Sequence, residues 1–285
     1  MNSGRTRLRY GLKKFARRKP AVAALVILCA EILAVVFLPL VLDLDPYFSD
    51  LGAFDTAPGT VHILGTDSIG RDIFARLIYG GRVSLFVGFL STLTAAALGI
   101  PLGLLAAYYR SWIEMIVMRL VDMFMSFPSM ILILVLVSVI GPSLLSVPLV
   151  IGFLGWTEFA RITHSKALSV REKEYVESAR AVGTRDLAIM IIYVLPNVLS
   201  PVLVACASMT ASAILTESAL SFLGMGVQPP MASWGNMLHE AQSITVLAYK
   251  FWQWLPPGLS LVLTILSVNF LGDGIRDALD PRRTD

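Results

Sequence analysis

The chain has 285 residues, of which 56% are hydrophobic and only 15% charged, and its formal net charge is +3 at pH 7. Soluble domains carry about 25% charged residues, so this composition excludes an ordinary soluble protein and indicates a membrane protein. The two cysteines, Cys29 and Cys206, lie inside apolar runs and form neither a zinc-binding spacing nor a disulfide framework.

The first twenty residues hold eight Lys or Arg and no acidic residue, and we predict that they form a basic cytoplasmic tail. The apolar run that follows, 21–42, is long enough to cross a bilayer, which takes about 20 residues. A signal peptide would share the basic start, but its apolar core is shorter and ends at a small-residue cleavage site. This run ends in LDLDPYF, so we predict an uncleaved first membrane helix.

Five further apolar stretches predict five further membrane helices, and a turn rich in Gly and Pro at 141–148 separates the third span from the fourth. The six predicted spans cover 20–42, 83–109, 113–139, 145–161, 187–216 and 251–272. With the N-terminus in the cytoplasm, the inner loops hold eighteen Lys or Arg and the outer loops hold four. The positive-inside rule therefore favours both termini in the cytoplasm, with residues 276–285 as a second tail.

The predicted outer segment 43–82 contains a pattern typical of an amphipathic helix that seats the second span at the membrane interface. Three apolar residues recur every four positions, namely Ile69, Ile73 and Leu77. Two pairs of opposite charges share this spacing, namely Asp67 with Arg71 and Asp72 with Arg76. Each such pair would stabilise a helix by a few tenths of a kcal/mol.

The predicted inner loop 171–196 has the pattern of a helix, a glycine and a second helix. Its first helix places four apolar residues on one face, namely Tyr175, Val176, Ala179 and Val182. Gly183 interrupts this helix, and Thr184 is placed to cap the next one. Such a face can lie on the lipid surface or dock into a groove of a cytoplasmic partner, and the spacing leaves both open.

Several ionisable residues fall at membrane depth, where they normally face the protein interior. The candidates for a pore lining or gate are Arg119, Asp122, Glu158 and Glu217. The spacing also allows local neutralisation near the span ends, by Arg119 with Asp122 and by Glu158 with Arg161. Glu31 lies in the middle of the first span, where it would pair with a partner subunit or carry a proton.

The residues that would support an enzyme are missing from the sequence. No lysine follows a glycine, so a phosphate-binding loop of the Gly-Lys-Ser/Thr type is absent. The three histidines are isolated in different loops, which disfavours a membrane hydrolase and a metal site. An ion-coupled secondary transporter would use the buried carboxylates, but we see no inverted repeats of the kind expected there.

The inner loop resembles the EAA loop of ABC importer permeases, which docks into a cleft of the ATP-binding subunit. Ser178 replaces an Ala of that pattern and Tyr193 replaces an Ile, while the Gly and Leu-Pro positions match. The resemblance implies that ATPase coupling is carried by Glu174, Glu177, Ser178, Ala179, Gly183, Leu195 and Pro196. It also implies that a bulky residue at position 183 would clash at this elbow.

Residues 62–85 resemble the LGTDxxGRDxxSRxxxGxRxSL signature of the dipeptide/oligopeptide/nickel importer permeases, with Ala75 in place of Ser. The matching residues are Leu64, Gly65, Thr66, Asp67, Gly70, Arg71, Asp72, Arg76, Gly80, Arg82, Ser84 and Leu85. Further matching stretches, such as 219–226 and 272–281, extend the resemblance over residues 62–281. It points to the DppC/OppC type, the second permease of the pair.

This resemblance implies an all-α transmembrane fold, a six-helix type I ABC importer permease with an N-terminal helix and a five-helix core over 83–275. The chain would form half of a pore for di- or oligopeptides in the cell membrane, without catalysis, cofactor or metal of its own. Its expected partners are a second homologous permease, two ATP-binding subunits that hold ATP and Mg, an extracytoplasmic substrate-binding protein and lipid, but no nucleic acid. A nickel or metallophore importer of the same family is the alternative.

Overall fold

The structure is a computed structural model that describes residues 14–279. The outer parts of the two predicted tails, 1–13 and 280–285, lie outside the described residues. The described chain is helical and has no β-strand, only two isolated β-bridges between loop residues. Its main helices are α1 Lys19–Val41, α2 Ile73–Tyr109, α3 Ser111–Met125, α4 Ser129–Ile140, α5 Ser146–Arg171, α6 Glu174–Ala181, α7 Asp186–Phe222, α8 Trp234–Glu240, α9 Ile244–Tyr249 and α10 Phe251–Leu279.

Helices α1, α2, α7 and α10 are each long and apolar enough to cross a membrane. Helices α3 and α4 reach that length only as a pair, and they are bent by 89° at the break between them. Helix α5 has 26 residues, but it is not apolar enough to count among them. The prediction of an all-α transmembrane fold is confirmed.

The span predicted over 113–139 is divided into two helices, α3 and α4. The chain leaves the helical conformation after Met125 and resumes it at Ser129. Pro128 explains the break, because proline has no N–H for the helical hydrogen bond and disfavours a helical conformation in the residue before it. The fourth predicted span, 145–161, is part of a longer helix that continues to Arg171.

Helices α2 and α5 form the most extensive helix pair of the bundle. Small residues make this close approach possible. A Cβ atom at Gly99 or Gly103 of α2 would collide with backbone atoms of Trp156 or Ala160, and one at Gly152 of α5 would collide with the backbone of α2. Packing of this kind is typical of membrane helices, which gain little from the hydrophobic effect inside lipid.

Helix α1 packs along α10 and α2. Pro39 lies inside α1 and has no N–H, so the carbonyl of Val35 loses its helical donor. Arg82 of α2 supplies a donor in its place, because its Nε donates to Val35 O at 2.5 Å. Its Nη2 also donates to the neighbouring Val36 O at 3.0 Å.

Glu31 of α1 also has its partner within this chain. Its Oε2 accepts a hydrogen bond of 2.7 Å from the hydroxyl of Thr264 on α10. This hydrogen bond connects the first and last helices of the chain.

Two segments pack together at one end of the bundle, and we call them the cap: residues 42–72 and residues 223–250. The amphipathic helix predicted within 43–82 is not a separate element, because helix α2 begins only at Ile73 and continues into the membrane span. Ile69 lies in a loop instead. Asp72 is the N-cap of α2 and accepts from the N–H of Ala75 at 2.8 Å, so it does not form the predicted ion pair with Arg76.

At the opposite end of the bundle, residues 172–185 connect α5 to α7 and contain the short helix α6. We call this segment the elbow. The two candidate sites that follow lie at the elbow and in a cavity between α3, α4, α5 and α7.

Candidate functional site

The elbow has the predicted order of helix, glycine and helix. Helix α6 ends in a Schellman motif, in which Gly183 N–H donates to Arg180 O at 2.9 Å and Thr184 N–H donates to Ala179 O at 3.1 Å. Gly183 has a φ of +83°, a conformation that glycine adopts without steric cost. Thr184 does not cap the next helix, since Arg185 is the N-cap of α7 and forms no side-chain cap hydrogen bond.

The predicted clash of a bulky residue at position 183 does not occur within this chain. A Cβ atom at Gly183 would meet nothing within 4 Å, so a side chain there would project into open space. The requirement for glycine comes instead from the positive φ of the Schellman motif.

The predicted apolar face of α6 is divided between two environments. Val176 is fully buried, and Ala179 is partly buried against the same core of membrane helices. Tyr175 is 45% exposed and Val182 is 86% exposed. One half of the face therefore attaches the elbow to the bundle, while the other half is left uncovered together with the exposed Glu177.

A joint around Tyr108 connects the elbow to three membrane helices. Tyr108 lies near the end of α2 and is only 4% exposed. Two guanidinium groups lie near its ring, with Arg171 of α5 at 5.8 Å and Arg180 of α6 at 5.5 Å from the ring centroid. Its hydroxyl donates to Asp186 Oδ1 of α7 at 2.5 Å. These four side chains, which we call the Tyr108 joint, come from four different helices.

The Leu-Pro pair of the inner loop lies just beyond the elbow. Residues Ile189–Val194 of α7 form a π-helical stretch, and Leu195 and Pro196 follow it directly. Pro196 cannot donate a backbone hydrogen bond, and wider π turns often occur where the regular α-helical ladder is interrupted. The pair therefore marks an irregularity in α7 close to the elbow.

In the cap, the signature residues build a turn that starts α2. Asp67 is 5% exposed, and its Oδ1 accepts from the N–H of Ile69 at 3.0 Å and of Arg71 at 2.9 Å. Gly65 and Gly70 have φ of +75° and +82°, and a Cβ on Gly70 would collide with the carbonyl of Asp50. Thr66 joins two loops, since its Oγ1 donates to Ala53 O and accepts from Thr56 N–H.

Arginines of the signature join the two halves of the cap. Arg71 donates to Asp67 Oδ2 at 2.7 Å and to Glu240 Oε2 at 2.6 Å. Arg76 is only 1% exposed and donates to the same Glu240 oxygen at 2.9 Å. Glu240 lies at the end of α8, so these bonds hold α8 against the start of α2.

A second link in the cap involves Asp55. Its Oδ2 lies 2.6 Å from Lys250 Nζ, and its Oδ1 accepts from Gln253 Nε2 at 2.8 Å. The hydrogen bond from Lys250 is the main reason that the pKa of Asp55 lies below its usual value of 3.8, and the hydrogen bond from Gln253 acts in the same direction.

Glu217 is fully buried, away from the cavity lining and next to the cap. Its Oε1 accepts from Ser221 at 2.7 Å and from Ser233 at 2.8 Å. Ser233 is also the N-cap of α8. Glu217 therefore connects α7 to α8, which is a structural contact between two elements of this chain.

A cavity of about 480 Å³ lies between α3, α4, α5 and α7, beside the 89° bend. Its lining residues are Phe124, Met125, Phe127, Ser129, Leu132, Ile133, Ile151, Leu154, Gly155, Thr157, Glu158, Met209, Ser212, Ala213 and Thr216. Of the four residues predicted as a pore lining or gate, Glu158 alone is in this set.

The local neutralisation that the spacing allows, between charges on one helix, does not occur among the described residues. Asp122 of α3 pairs with Arg161 of α5 at 2.6 Å, and so connects two helices rather than neutralising Arg119. Arg119 is exposed and lies outside the cavity lining. Over residues 14–279, Glu158 forms no ion pair or hydrogen bond.

Three residues of these clusters are not singled out by the sequence: Tyr108, Asp186 and Glu240. Each contacts residues that are distant in the chain, as Glu240 does in its ion pair with Arg76. No periodicity or motif marks them, because the contacts depend on how the helices come together.

A bundle of membrane-crossing helices, a cavity between them and a partly uncovered elbow define a membrane permease. The chain belongs to the family described as binding-protein-dependent transport system inner membrane component, whose model matches residues 99–285. It is thus a multi-pass inner-membrane permease subunit of an ABC importer, a family that implies ATPase and substrate-binding partners.

Similar proteins cover nearly the whole chain. A putative peptide permease protein of Brucella suis is 43% identical over 94% of this chain and 89% of its own length. The dipeptide transport system permease protein DppC of Alkalihalophilus pseudofirmus is 38% identical over 96% of this chain and 90% of its own. The glutathione transport system permease protein GsiD of Pectobacterium atrosepticum is 38% identical over 98% of this chain and 93% of its own.

The fold is also shared with a solved structure. A chain of the inward-facing MetNI methionine ABC transporter superimposes with a TM-score of 0.60. The match covers 72% of this chain and 97% of the other, at 19% sequence identity. This supports the type I importer fold.

Proposed function

We propose that this chain forms half of the translocation pore of an ATP-driven importer for peptides, paired with a second, homologous permease. Two cytoplasmic ATP-binding subunits, which hold ATP and Mg, and an extracytoplasmic substrate-binding protein complete the assembly. The relatives named for peptides, dipeptides and glutathione support peptides as the substrate class, because glutathione is itself a peptide.

The observation that carries this proposal is the uncovered half of the elbow. Val182 and Tyr175 are exposed next to Glu177, on a helix whose other side is anchored in the bundle. Helices that dock into a protein groove use apolar anchors at this spacing. The elbow therefore has the features of a docking helix for an ATP-binding subunit.

The orientation follows from the distribution of basic residues. The elbow and both tails carry most of the Lys and Arg of the chain, and the positive-inside rule supports a cytoplasmic position for them. The cap then faces outward, where a substrate-binding protein delivers the solute.

The mechanism is alternating access driven by the partner ATPases. Closure of the ATP-binding subunits displaces α6, and the Tyr108 joint transmits this displacement to α2, α5 and α7. The solute passes the cavity beside the α3–α4 bend, where Glu158 contributes to the lining. The Asp122–Arg161 pair connects the helices next to it.

Substitution of Gly183 tests the coupling role of the elbow. We expect Gly183→Arg to abolish uptake while the chain remains in the membrane with normal abundance. The left-handed conformation costs a non-glycine residue about 1–2 kcal/mol, which is tolerable, but the long side chain enters the space assigned to the ATPase. Gly183→Asn is the control, since asparagine tolerates this conformation and is short, and it should retain uptake. Normal uptake by the arginine variant would contradict the proposal.

Copurification tests the assembly itself. The tagged chain is isolated from native membranes in mild detergent, and the proteins that accompany it are identified by mass spectrometry. We expect a second permease and ATP-binding subunits. A chain that is isolated alone and still transports solute would instead be a secondary transporter.

A further inference from the structure

Glu158 places a negative charge in an otherwise uncharged cavity. Apolar and aromatic side chains form most of the lining, and its other polar members are uncharged hydroxyl residues, such as Ser212 and Thr157. The volume of about 480 Å³ is within the range of small-molecule sites, about 300–1,000 Å³. The cavity can therefore hold a small solute, and Glu158 determines the sign of its charge.

The carboxylate of Glu158 lacks a countercharge in this chain. The nearest basic residue along α5 is Arg161, and its guanidinium lies 2.6 Å from Asp122. No other ion pair or hydrogen bond to Glu158 occurs in the part of the chain that the structure describes. The Glu158 side chain is exposed and lines the cavity, so it can form a charge-assisted hydrogen bond with a cationic group on whatever occupies the cavity.

The chemistry of the lining favours an ammonium group over a metal ion. Over residues 14–279, no group of three or more His, Cys, Asp or Glu side chains is placed to hold a metal. A single carboxylate gives a metal too few ligands, whereas it can fully pair with one ammonium group. Phe124 and Phe127 add aromatic faces to the same cavity, and such faces attract organic cations.

We propose that Glu158 binds the protonated amino terminus of the solute as it passes through the cavity. The inference rests on the proposed function, because a peptide importer supplies a solute with a free amine. Glu158 then acts as a specificity-determining residue within the membrane, separate from any selection by the substrate-binding protein.

The test compares two peptides that differ only in the charge of the amino terminus. Initial rates of uptake of trialanine and N-acetyl-trialanine are measured in cells that carry the complete importer, with wild-type chain, Glu158→Gln, Glu158→Asp or Ser212→Ala. Both peptides are supplied at concentrations that saturate the wild-type system. The substrate-binding protein is the same in every strain, so its preference cancels when the ratio of the two rates is compared between strains.

We expect Glu158→Gln to lower the ratio of trialanine to N-acetyl-trialanine uptake at least fivefold, chiefly by slowing trialanine. Glu158→Asp keeps the charge and should keep the preference. Ser212→Ala removes a polar group from the same cavity but no charge, and should leave the ratio unchanged.

An unchanged ratio in Glu158→Gln would overturn the inference while leaving the peptide importer intact. Equal loss of both peptides in that variant would also overturn it, because Glu158 would then be required regardless of the amine. If the wild-type chain takes up neither peptide although it copurifies with its partners, the proposed peptide function fails, and the inference fails with it.

Discussion

Arg76 is a buried cation whose pairing depends on the other half of the cap. It is 1% exposed, and its closest carboxylate is Glu240, 2.9 Å away, while Asp67 is 3.9 Å from its Nε. Burying a guanidinium is costly unless a partner compensates, so loss of Glu240 would leave a buried charge with only a weak contact.

We therefore predict that Glu240→Gln lowers the free energy of unfolding by about 3 kcal/mol, the size of a broken buried pair. The double variant Arg76→Met/Glu240→Gln should recover part of that loss, since no guanidinium is then left buried. Thermal or denaturant unfolding of the purified chain in detergent measures both. If the double variant is less stable than Glu240→Gln alone, the loss in Glu240→Gln does not come from leaving the Arg76 guanidinium unpaired.

Asp55 makes the stability of the fold depend on pH. Its pKa in the folded state is lowered by the hydrogen bond from Lys250, so it stabilises the fold above pH 3.8, and this contribution is lost as pH falls through the folded pKa. We expect Asp55→Asn to be less stable than wild type at pH 6, and the difference between their melting temperatures to shrink below pH 3.8. A difference that stays constant between pH 6 and pH 3 would contradict this link.

At the scale of single residues, the sequence marks positions without showing their structural roles. The signature marks Gly70 and Asp72, but only the structure shows that one adopts a positive φ and the other caps α2. The periodicity at Ile69 suggested a helix, and the turn built on Asp67 prevents it from starting there. Glu240 could not be predicted, because its partner Arg76 is distant in sequence.

At the scale of the elements, the position of the short helix α6 depends on its contacts with neighbouring helices, including the Tyr108 joint. A helix of eight residues is too short to be stable alone in water, so contacts with neighbouring helices must fix its position. The ring of Tyr108 contacts two arginines and its hydroxyl reaches Asp186, so the ring and the hydroxyl can be tested separately.

We predict that Tyr108→Phe, which keeps the ring and removes the hydroxyl, lowers uptake severalfold relative to ATP hydrolysis by the assembled complex. Tyr108→Leu, which also removes the aromatic face, should lower the ratio further. The measurement is solute transported per ATP hydrolysed after reconstitution into liposomes. The neighbouring Tyr109 is 45% exposed, and Tyr109→Phe serves as the matched control. An unchanged ratio in Tyr108→Leu would show that the joint only supports the fold.

The boundaries of the elements show what local sequence can and cannot predict. The Gly/Pro-rich stretch at 141–148 and the elbow glycine interrupt helices as predicted, since these residues act on their own backbone. Pro128 acts in the same way, although the predicted span 113–139 runs across it. The 89° bend between α3 and α4 was not predictable, because its angle depends on the helices packed around it. For the same reason the lining of the cavity, apart from Glu158, could not be assigned from the sequence.

For the whole molecule, the position of α1 depends on a donor supplied by α2. Arg82 bonds the carbonyls of Val35 and Val36 where Pro39 interrupts the helix. In lipid, an unpaired carbonyl cannot bond to water, so this contact substitutes for a helical hydrogen bond.

We predict that Arg82→Met destabilises the chain by about 1–3 kcal/mol, the cost of an unsatisfied buried group. In a Pro39→Leu background the same substitution should cost less, because the introduced leucine restores an N–H for the Val35 carbonyl. Unfolding in detergent of the two single variants and the double variant gives the coupling free energy. If the stability effects of the two single substitutions simply add in the double variant, Arg82 does not replace the N–H that Pro39 lacks.

The contact between Arg82 and the proline-interrupted helix also limits which parts of this permease can be exchanged. A chimera that takes its first helix from another protein, with no proline at position 39, would give Val35 O a helical donor and so remove the vacancy that Arg82 Nε fills. A core grafted beneath this first helix would need an arginine at position 82. The N-terminal helix and the core are therefore transferable only as a matched pair, despite the long loop between them.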